Sequence, residues 1–333
     1  MKGFLKVASF VVLLLVMGKN GMAQVDPHFS QFYVYPSFLN PALTGVFDGT
    51  YRVTGIYRNQ WSGISTPFST PGVSFDMNTG KNISFGASIM NQNAGNAGYN
   101  YLTAYGSASY SGIRFGTNNT QRVVFGMQAG LISRRFDPSK FTLGENWNPA
   151  TGVTNPSSEI FSRTSATMFD MGAGALYIDG KPNKKANFYG GISVNHLTQP
   201  TDDFIKDSDA KLPMRVNIHG GLRYVVNENW SITPNFLYMT QGNAKETMLG
   251  AYAQLKASET SDFLFGANYR FKDAFAPYVG FYHKNFVLGA SYDFNVSDLG
   301  RMTGKANSFE ISLSWIGRKA FKAEEEQFVC PRL

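Results

Sequence analysis

Phe263-Leu264-Phe265-Gly266-Ala267-Asn268-Tyr269-Arg270-Phe271 is the stretch on which the fold turns. Phe263, Phe265, Ala267, Tyr269 and Phe271 fall on one face, and Leu264, Gly266, Asn268 and Arg270 on the other. A period of two is that of an extended strand, with large apolar residues on one side and mostly small or polar ones on the other. The pattern returns at Phe286, Leu288, Ala290, Tyr292 and Phe294, and at Phe309, Ile311, Leu313 and Trp315. It is present again at Ile83, Phe85, Ala87 and Ile89, and at Val123, Phe125, Met127, Ala129 and Leu131. Such runs, about 9 to 13 residues long, match a tilted strand crossing a bilayer, its apolar face to lipid and its small and polar face to the interior.

Extending this reading along the chain predicts fourteen strands, at 50–60, 67–78, 82–92, 99–111, 121–134, 167–178, 186–197, 213–226, 229–239, 245–256, 260–271, 274–283, 285–295 and 306–317. The expected fold is therefore all-β: a transmembrane antiparallel barrel of even strand number, residues 50–317, with periplasmic termini. Aromatic residues at strand ends, such as Tyr51, Trp230, Phe271, Phe294 and Trp315, suit interfacial girdles. The longest connections, 135–166 and 198–212, both follow odd-numbered strands, whereas Asn78 to Lys81, Asn227-Glu228 and Lys284 make short connections after even ones. Short periplasmic turns and long external loops are the rule in such barrels. The loop 135–166, with Trp147 and Phe161, either folds into the barrel mouth or stands out as a binding surface. A soluble sandwich would have to bring one apolar face of every strand into a shared core, and the export signal and strand lengths favour the membrane.

The first residues read as that export signal. Lys2 and Lys6 precede an apolar run from Val7 to Met17, and Gly21-Met22-Ala23 supplies small residues before Gln24. Residues 1–23 are therefore expected to be a cleaved signal peptide. No other run is long and apolar enough for a membrane helix. Charged residues make up 16% and aromatics 15%, with 34 glycines, a composition suited to short strands and turns. The net charge of +7 comes without a basic cluster, so nucleic acid is not an expected partner, whereas acidic lipid headgroups or proteins are compatible. The single cysteine, Cys330, excludes a disulfide framework within the chain.

Residues 24–49 are not strand-like, because Pro27, Pro36 and Pro41 break ladders and favour turns. They are expected to form a periplasmic segment or a plug folded into the barrel. Asp26-Pro27-His28-Phe29-Ser30-Gln31-Phe32-Tyr33, Pro36, and Leu39-Asn40-Pro41-Ala42-Leu43-Thr44-Gly45 closely resemble the opening of the PorP/SprF family of Bacteroidetes outer-membrane proteins. Further matches are Tyr57-Arg58-Asn59-Gln60-Trp61, Phe169 to Tyr177, Tyr189 to Leu197, Tyr292-Asp293 with Ser308 to Leu313, and the ending Cys330-Pro331-Arg332-Leu333, where Leu replaces the family's Phe. The resemblance implies an outer-membrane role in the type IX secretion system and gliding motility. It also implies secretion and surface anchoring of adhesin cargo through a C-terminal domain, and association with periplasmic components of the apparatus. On that basis Asp26, Pro27, His28, Phe29, Gln31, Phe32, Asn40 and Pro41 are candidate partner-binding residues. Trp147 in the long loop and Phe328, Cys330, Pro331 and Arg332 in the tail complete the set.

The catalytic inventory is thin, and no enzyme, cofactor or metal is expected. His28, His196, His219 and His283 are dispersed without metal-ligand spacing. Asp202, Asp203, Asp207 and Asp209 lack the spacing of a calcium loop and suit a solvated external loop. Gly172 and Gly174 lie inside a strand, not before a helix, which is no place for a nucleotide loop. Arg52, Arg58, Arg114, Arg134, Arg135, Arg215, Arg223 and Arg270 lie in or beside strands, and the cost of arginine against lipid, about 2–4 kcal/mol at mid-membrane, directs them inward or to the interfaces. The tail 318–333 reads either as a frayed terminus or as a docking peptide. The competing function is a porin or transport channel for small solutes, since fourteen strands can surround a lumen.

Overall fold

Fourteen antiparallel strands close on themselves, the first pairing with both the second and the last. The computed structural model describes residues 26–61, 63, 67–95, 98–116, 119–140, 147–148, 150, 153–154, 163–201, 211–303 and 306–318. The strands are β1 (Tyr51–Gln60), β2 (Phe68–Asn78), β3 (Ile83–Ala94), β4 (Tyr99–Phe115), β5 (Gln121–Arg135), β6 (Ser165–Asp179) and β7 (Ala186–Asn195). They continue as β8 (Arg215–Val225), β9 (Trp230–Gln241), β10 (Ala244–Lys256), β11 (Ser261–Arg270), β12 (Ala274–His283), β13 (Phe286–Asn295) and β14 (Ser308–Gly317). Each corresponds to one predicted stretch, with ends shifted by a few residues. The extension of β4 to Phe115 goes with a register shift against β5 between Tyr110 and Ile113, the irregularity that a bulge introduces.

Alternation divides the wall as its sequence requires. Phe85, Ile89, Met127, Phe169, Val279 and Leu313 face outward and are about half exposed all round the barrel. An apolar surface that encircles the molecule has no place in water and fits lipid. Inward, the strands carry Arg52, Arg58, Asp76, Asp170, Arg215, Arg270, Asp293 and Glu310, all buried.

Closure gives the barrel two unlike ends. At the loop end, long connections follow β5 and β7, and the first of these contains a short pairing of Trp147–Asn148 with Val153–Thr154 that the sequence reading did not foresee. At the turn end the connections are short, and the chain leaves β14 there.

Residues 26–49 fill much of the lumen and run from one end to the other. Asp26 meets Tyr101 near the start of β4, Arg215 at the start of β8 and His196 just beyond β7, all at the loop end. Asn40 lies at mid-height against Ala175, Ile192 and His219. Thr44 bonds to Ser107 and Ser109, and Gly45 bonds to Asp76 close to the turn end of β2. The described chain therefore begins at the loop end, at Asp26, and finishes at the turn end, at Arg318. The segment threads the barrel from end to end, and the termini themselves lie outside the described residues.

Within the segment, a helical turn α1 (Pro36–Leu39) is followed by a 3₁₀ turn at Pro41–Leu43. Pro41 opens the second turn, where a missing N–H costs nothing, and the Asn40 side chain accepts from the Ala42 N–H as its cap (2.9 Å). Phe32, Tyr33, Leu39, Ala42 and Leu43 pack on the inward residues Val124, Leu176, Ile178, Tyr189, Leu237 and Met248. Phe29 and Tyr35 pack on Ile56, Met90, Tyr101, Ile132, Met168 and Leu212. These inward apolar residues, unusual in a barrel wall, are the seat of the segment.

Candidate functional site

The charges that the strands turn inward converge on the N-terminal segment. Its first residues sit between two charged clusters near the loop end. In the first cluster, Asp26 accepts from Arg215 Nη1 (2.8 Å), from the Tyr101 hydroxyl (3.0 Å) and from His196 Nε2 (2.7 Å). The other ring nitrogen of His196 lies 2.8 Å from Asp170 Oδ2. With a carboxylate on either side, both ring nitrogens donate, so His196 is a cation and the cluster balances two carboxylates against two cations. His196 sits just past β7 with a φ of 57°, a left-handed conformation that turns the chain there. The Arg215 guanidinium also covers the Phe38 ring at 4.0 Å and donates to the Phe38 carbonyl.

The second cluster surrounds Ser30. Its backbone N–H donates to Glu310 Oε1 (2.6 Å), and the next N–H, of Gln31, donates to Oε2 of the same carboxylate (2.9 Å). The Ser30 hydroxyl donates to Asp293 (2.8 Å) and accepts from Arg270 Nη1 (3.0 Å), while its carbonyl accepts from Asn268 (2.8 Å). Arg58 donates to Glu310 and Asp293 and lies 3.2 Å from His28 Nε2. The other ring nitrogen of His28 is 3.0 Å from Glu246. Charge-assisted bonds of this kind are the stronger sort, and several wall strands contribute to gripping one short peptide.

At mid-height the grip is steric and neutral. Asn40 donates through Nδ2 to the carbonyls of Ala175 (3.1 Å) and Ile192 (3.3 Å) and lies against His219 Nε2 (3.1 Å), while its Oδ1 holds the Ala42 N–H. Gly126 and Gly174 let the segment approach: a Cβ on Gly126 would stand 2.2 Å from the Ala42 nitrogen, and one on Gly174 2.0 Å from Asn40 Oδ1. Asn40→Leu keeps the bulk and removes these bonds, orphaning the Ala42 N–H. The expected loss is about 1–3 kcal/mol for each buried group left without a partner, read as a lower urea midpoint with unchanged slope.

The structure thus brings together Asp26, His28, Gln31 and Asn40, all buried and all bonded to the wall, and buries Pro27, Phe29, Phe32 and Pro41 among them. In this arrangement their partner is the barrel itself. A second protein reaches them only when the segment withdraws. Trp147 belongs to the short pairing in the connection from β5 to β6, at the loop end. Phe328, Cys330, Pro331 and Arg332, like residues 1–23, Phe161 and the acidic run 202–209, lie outside the described residues.

Ser30, Asp170, Asp293 and Glu310 escaped the sequence reading as site residues. A signal was present: an acidic residue inside a lipid-facing strand has to point inward, and an inward carboxylate needs a cation or donor to meet it. Among the described residues, no group of three or more His, Cys, Asp or Glu side chains is placed to hold a metal ion.

The chain is similar to TbuX, a toluene transporter of Ralstonia pickettii, at 12% identity and a TM-score of 0.49, over 89% of this chain and 96% of that one. It is similar to the monoaromatic hydrocarbon channel CymD at 12% identity and a TM-score of 0.49, over 90% and 97% of the two chains. It is also similar to a FadL homologue of Pseudomonas aeruginosa at 13% identity and a TM-score of 0.38, over 88% and 95%. No curated protein matches the chain in sequence. The family pattern described as "type IX secretion system membrane protein PorP/SprF" matches residues 21–315, nearly the whole barrel with its threaded segment, and the chain belongs to that family.

Proposed function

We propose that the chain is an outer-membrane component of the type IX secretion and gliding machinery, one that supports secretion and surface anchoring of adhesin-type cargo and docks periplasmic parts of the apparatus. The observation that carries this reading is the occupied lumen. Residues 26–49 lie along the axis, and Asp26 at their start is held by buried ion pairs to Arg215 and His196. A barrel so filled suits handling proteins at its ends better than passing solutes through its middle. A porin or small-solute channel is the alternative, and it needs the segment to leave.

In this reading the loop end faces the cell exterior and the turn end the periplasm. The long loop with Trp147 is then the outward surface for cargo, and the tail with Phe328, Cys330, Pro331 and Arg332 is the periplasmic docking peptide. Removal of residues 1–23 would leave a new N-terminus two residues before Asp26, at the outward mouth. The segment contributes to partner binding through Asp26 to Phe32 only in a withdrawn state.

A deletion strain tests the function. Loss of a surface adhesin or of gliding is expected, and co-purification from native membranes is expected to bring periplasmic secretion components with the barrel. In planar bilayers the pure protein is expected to carry no steady current. Steady open-channel current together with normal adhesin display in the deletion strain would replace this reading with the porin.

A further inference from the structure

The threaded segment does not fill the lumen evenly. Between it and the inner wall of β9 to β14 lies a cavity, closed above by Ser30, Gln31 and Asn268 and reaching the turn end beside Asp48 and Arg318. The roof is tied shut by the bond from Asn268 to the Ser30 carbonyl and by that from Ser312 to Gln31. The mouth is wet: the side chains of Arg318 and Asp48 are 44% and 64% exposed.

The interior is not the polar lining that a water-filled barrel wears. Phe32 on the segment faces Tyr252, Leu264, Tyr278, Val287 and Ile316 on the wall, all at inward positions of their strands. The Asn235 side chain, 8% exposed, also lines the cavity, and its Oδ1 has no hydrogen-bond partner. At the mouth Arg318 donates to Asp48 (3.1 Å) and to the Tyr282 hydroxyl (3.1 Å). An apolar trough, one unsatisfied acceptor partway along it and a guanidinium at its entrance form an amphipathic site with a fixed polarity.

The space open to the centre of a water molecule is about 110 Å³. At roughly 10–15 Å³ per water that is on the order of eight waters, close to the volume of an acyl chain of about eight to ten carbons. Filling the trough with water would set its molecules against aromatic and aliphatic walls, where few partners for hydrogen bonds are on offer. An acyl chain satisfies those walls and leaves its head at the mouth.

We propose that this cavity is a binding site for a single-chain anionic amphiphile, a medium-chain carboxylic acid. Its tail lies between Phe32 and the Leu264–Tyr278 wall, its carboxylate meets Arg318 in exchange for Asp48, and a hydroxyl at the far end of the chain donates to Asn235. The site is reached from the turn end, and its roof keeps the ligand from crossing the barrel. It is independent of the cargo-handling role.

The test uses the full chain in lipid nanodiscs free of detergent, with decanoate and 10-hydroxydecanoate as probes and calorimetry as the readout. Saturable binding at one site per barrel is expected, tighter for the hydroxy acid by about three- to tenfold, the worth of one buried hydrogen bond. Ser314→Trp, which puts an indole into the trough, and Arg318→Glu are each expected to weaken binding at least tenfold. Leu264→Trp fills the trough from the opposite wall and keeps the test alive if Ser314→Trp does not fold. Absence of saturable binding, or binding untouched by the filling variants, would overturn the proposal. Equal affinities for the two acids would remove Asn235 from the site. A tenfold gain on replacing Phe321 and Phe328 by serine would assign the cavity to the chain's own tail instead.

Discussion

Gly126→Val is expected to turn a closed barrel into a conducting one. At Gly126 a side chain would collide with backbone on every count: its Cβ would stand 2.2 Å from the Ala42 nitrogen, 2.3 Å from the Pro41 carbonyl carbon and 2.4 Å from the Pro41 oxygen. No rotamer change relieves such a contact. Either the wall or the segment must move. The wall strand β5 is held around this point by an unbroken ladder to β6, with Gly126 opposite Gly174, and by its ladder to β4 from Phe125 toward the loop end, with Gly126 opposite Ser109. The segment there has no backbone ladder to the wall and is held by side-chain bonds at Leu39, Asn40 and Thr44 and by packing. The segment is therefore the part that yields, and overpacking of about 1–3 kcal/mol at one methyl becomes larger for the two that valine adds beyond its Cβ. Steady current in planar bilayers is expected to rise at least tenfold over wild type, while the melting behaviour of the barrel stays cooperative. A barrel lacking residues 26–45 is the reference for a fully vacated lumen and is expected to conduct at least as well. If Gly126→Val folds and stays as closed as wild type, the segment is not seated against β5 as described. If the deletion also stays closed, the lumen is blocked by something other than this segment.

The same residues show how far the sequence carries. The strands were legible because lipid and lumen impose opposite demands on neighbouring residues, so a run such as Phe263 to Phe271 states its own conformation. The two long loops after odd-numbered strands were legible for a similar reason, since only the correct strand count collects them at one end. The inward direction of Arg58 and Arg270 followed from the cost of arginine against lipid. What each would meet did not follow. Ser30 and its partners Asp293 and Glu310 are 263 and 280 residues apart in the chain, and closure of the barrel alone brings them together. The path of the segment was the least legible part. A segment without periodicity carries no record of its path, and the prolines of residues 26–49 say only where it is not a strand. The one local mark of its seat was the pairing of small wall residues with an Asn-Pro-Ala turn, and neither member identifies the other from its own neighbourhood.

Arg58→Met is expected to cost the folded barrel about 3–5 kcal/mol, the usual consequence of leaving buried carboxylates without their cation. Arg58 is 1% exposed and stands between Glu310 and Asp293, both themselves buried. Its removal leaves Asp293 with Arg270 Nη2 at 2.8 Å, but Glu310 keeps only the two backbone donors of Ser30 and Gln31. Burying a pair is weak evidence of stabilisation, because desolvation offsets attraction. Breaking a buried pair on one side is what costs, so the double variant discriminates. Arg58→Met combined with Glu310→Gln removes the cation and the charge it left stranded, and the pair of changes is expected to destabilise by less than the sum of the single ones. The readout is the urea midpoint of the reconstituted barrel at constant slope, with bilayer current as a second channel. The strands keep their ladder bonds in all three variants, so the stability lost at Arg58 is expected to appear first as intermittent current, before global unfolding. Strict additivity would mean that Arg58 and Glu310 act separately, and that the two backbone N–H groups of the segment, not the ion pair, fix its first residues at the loop end.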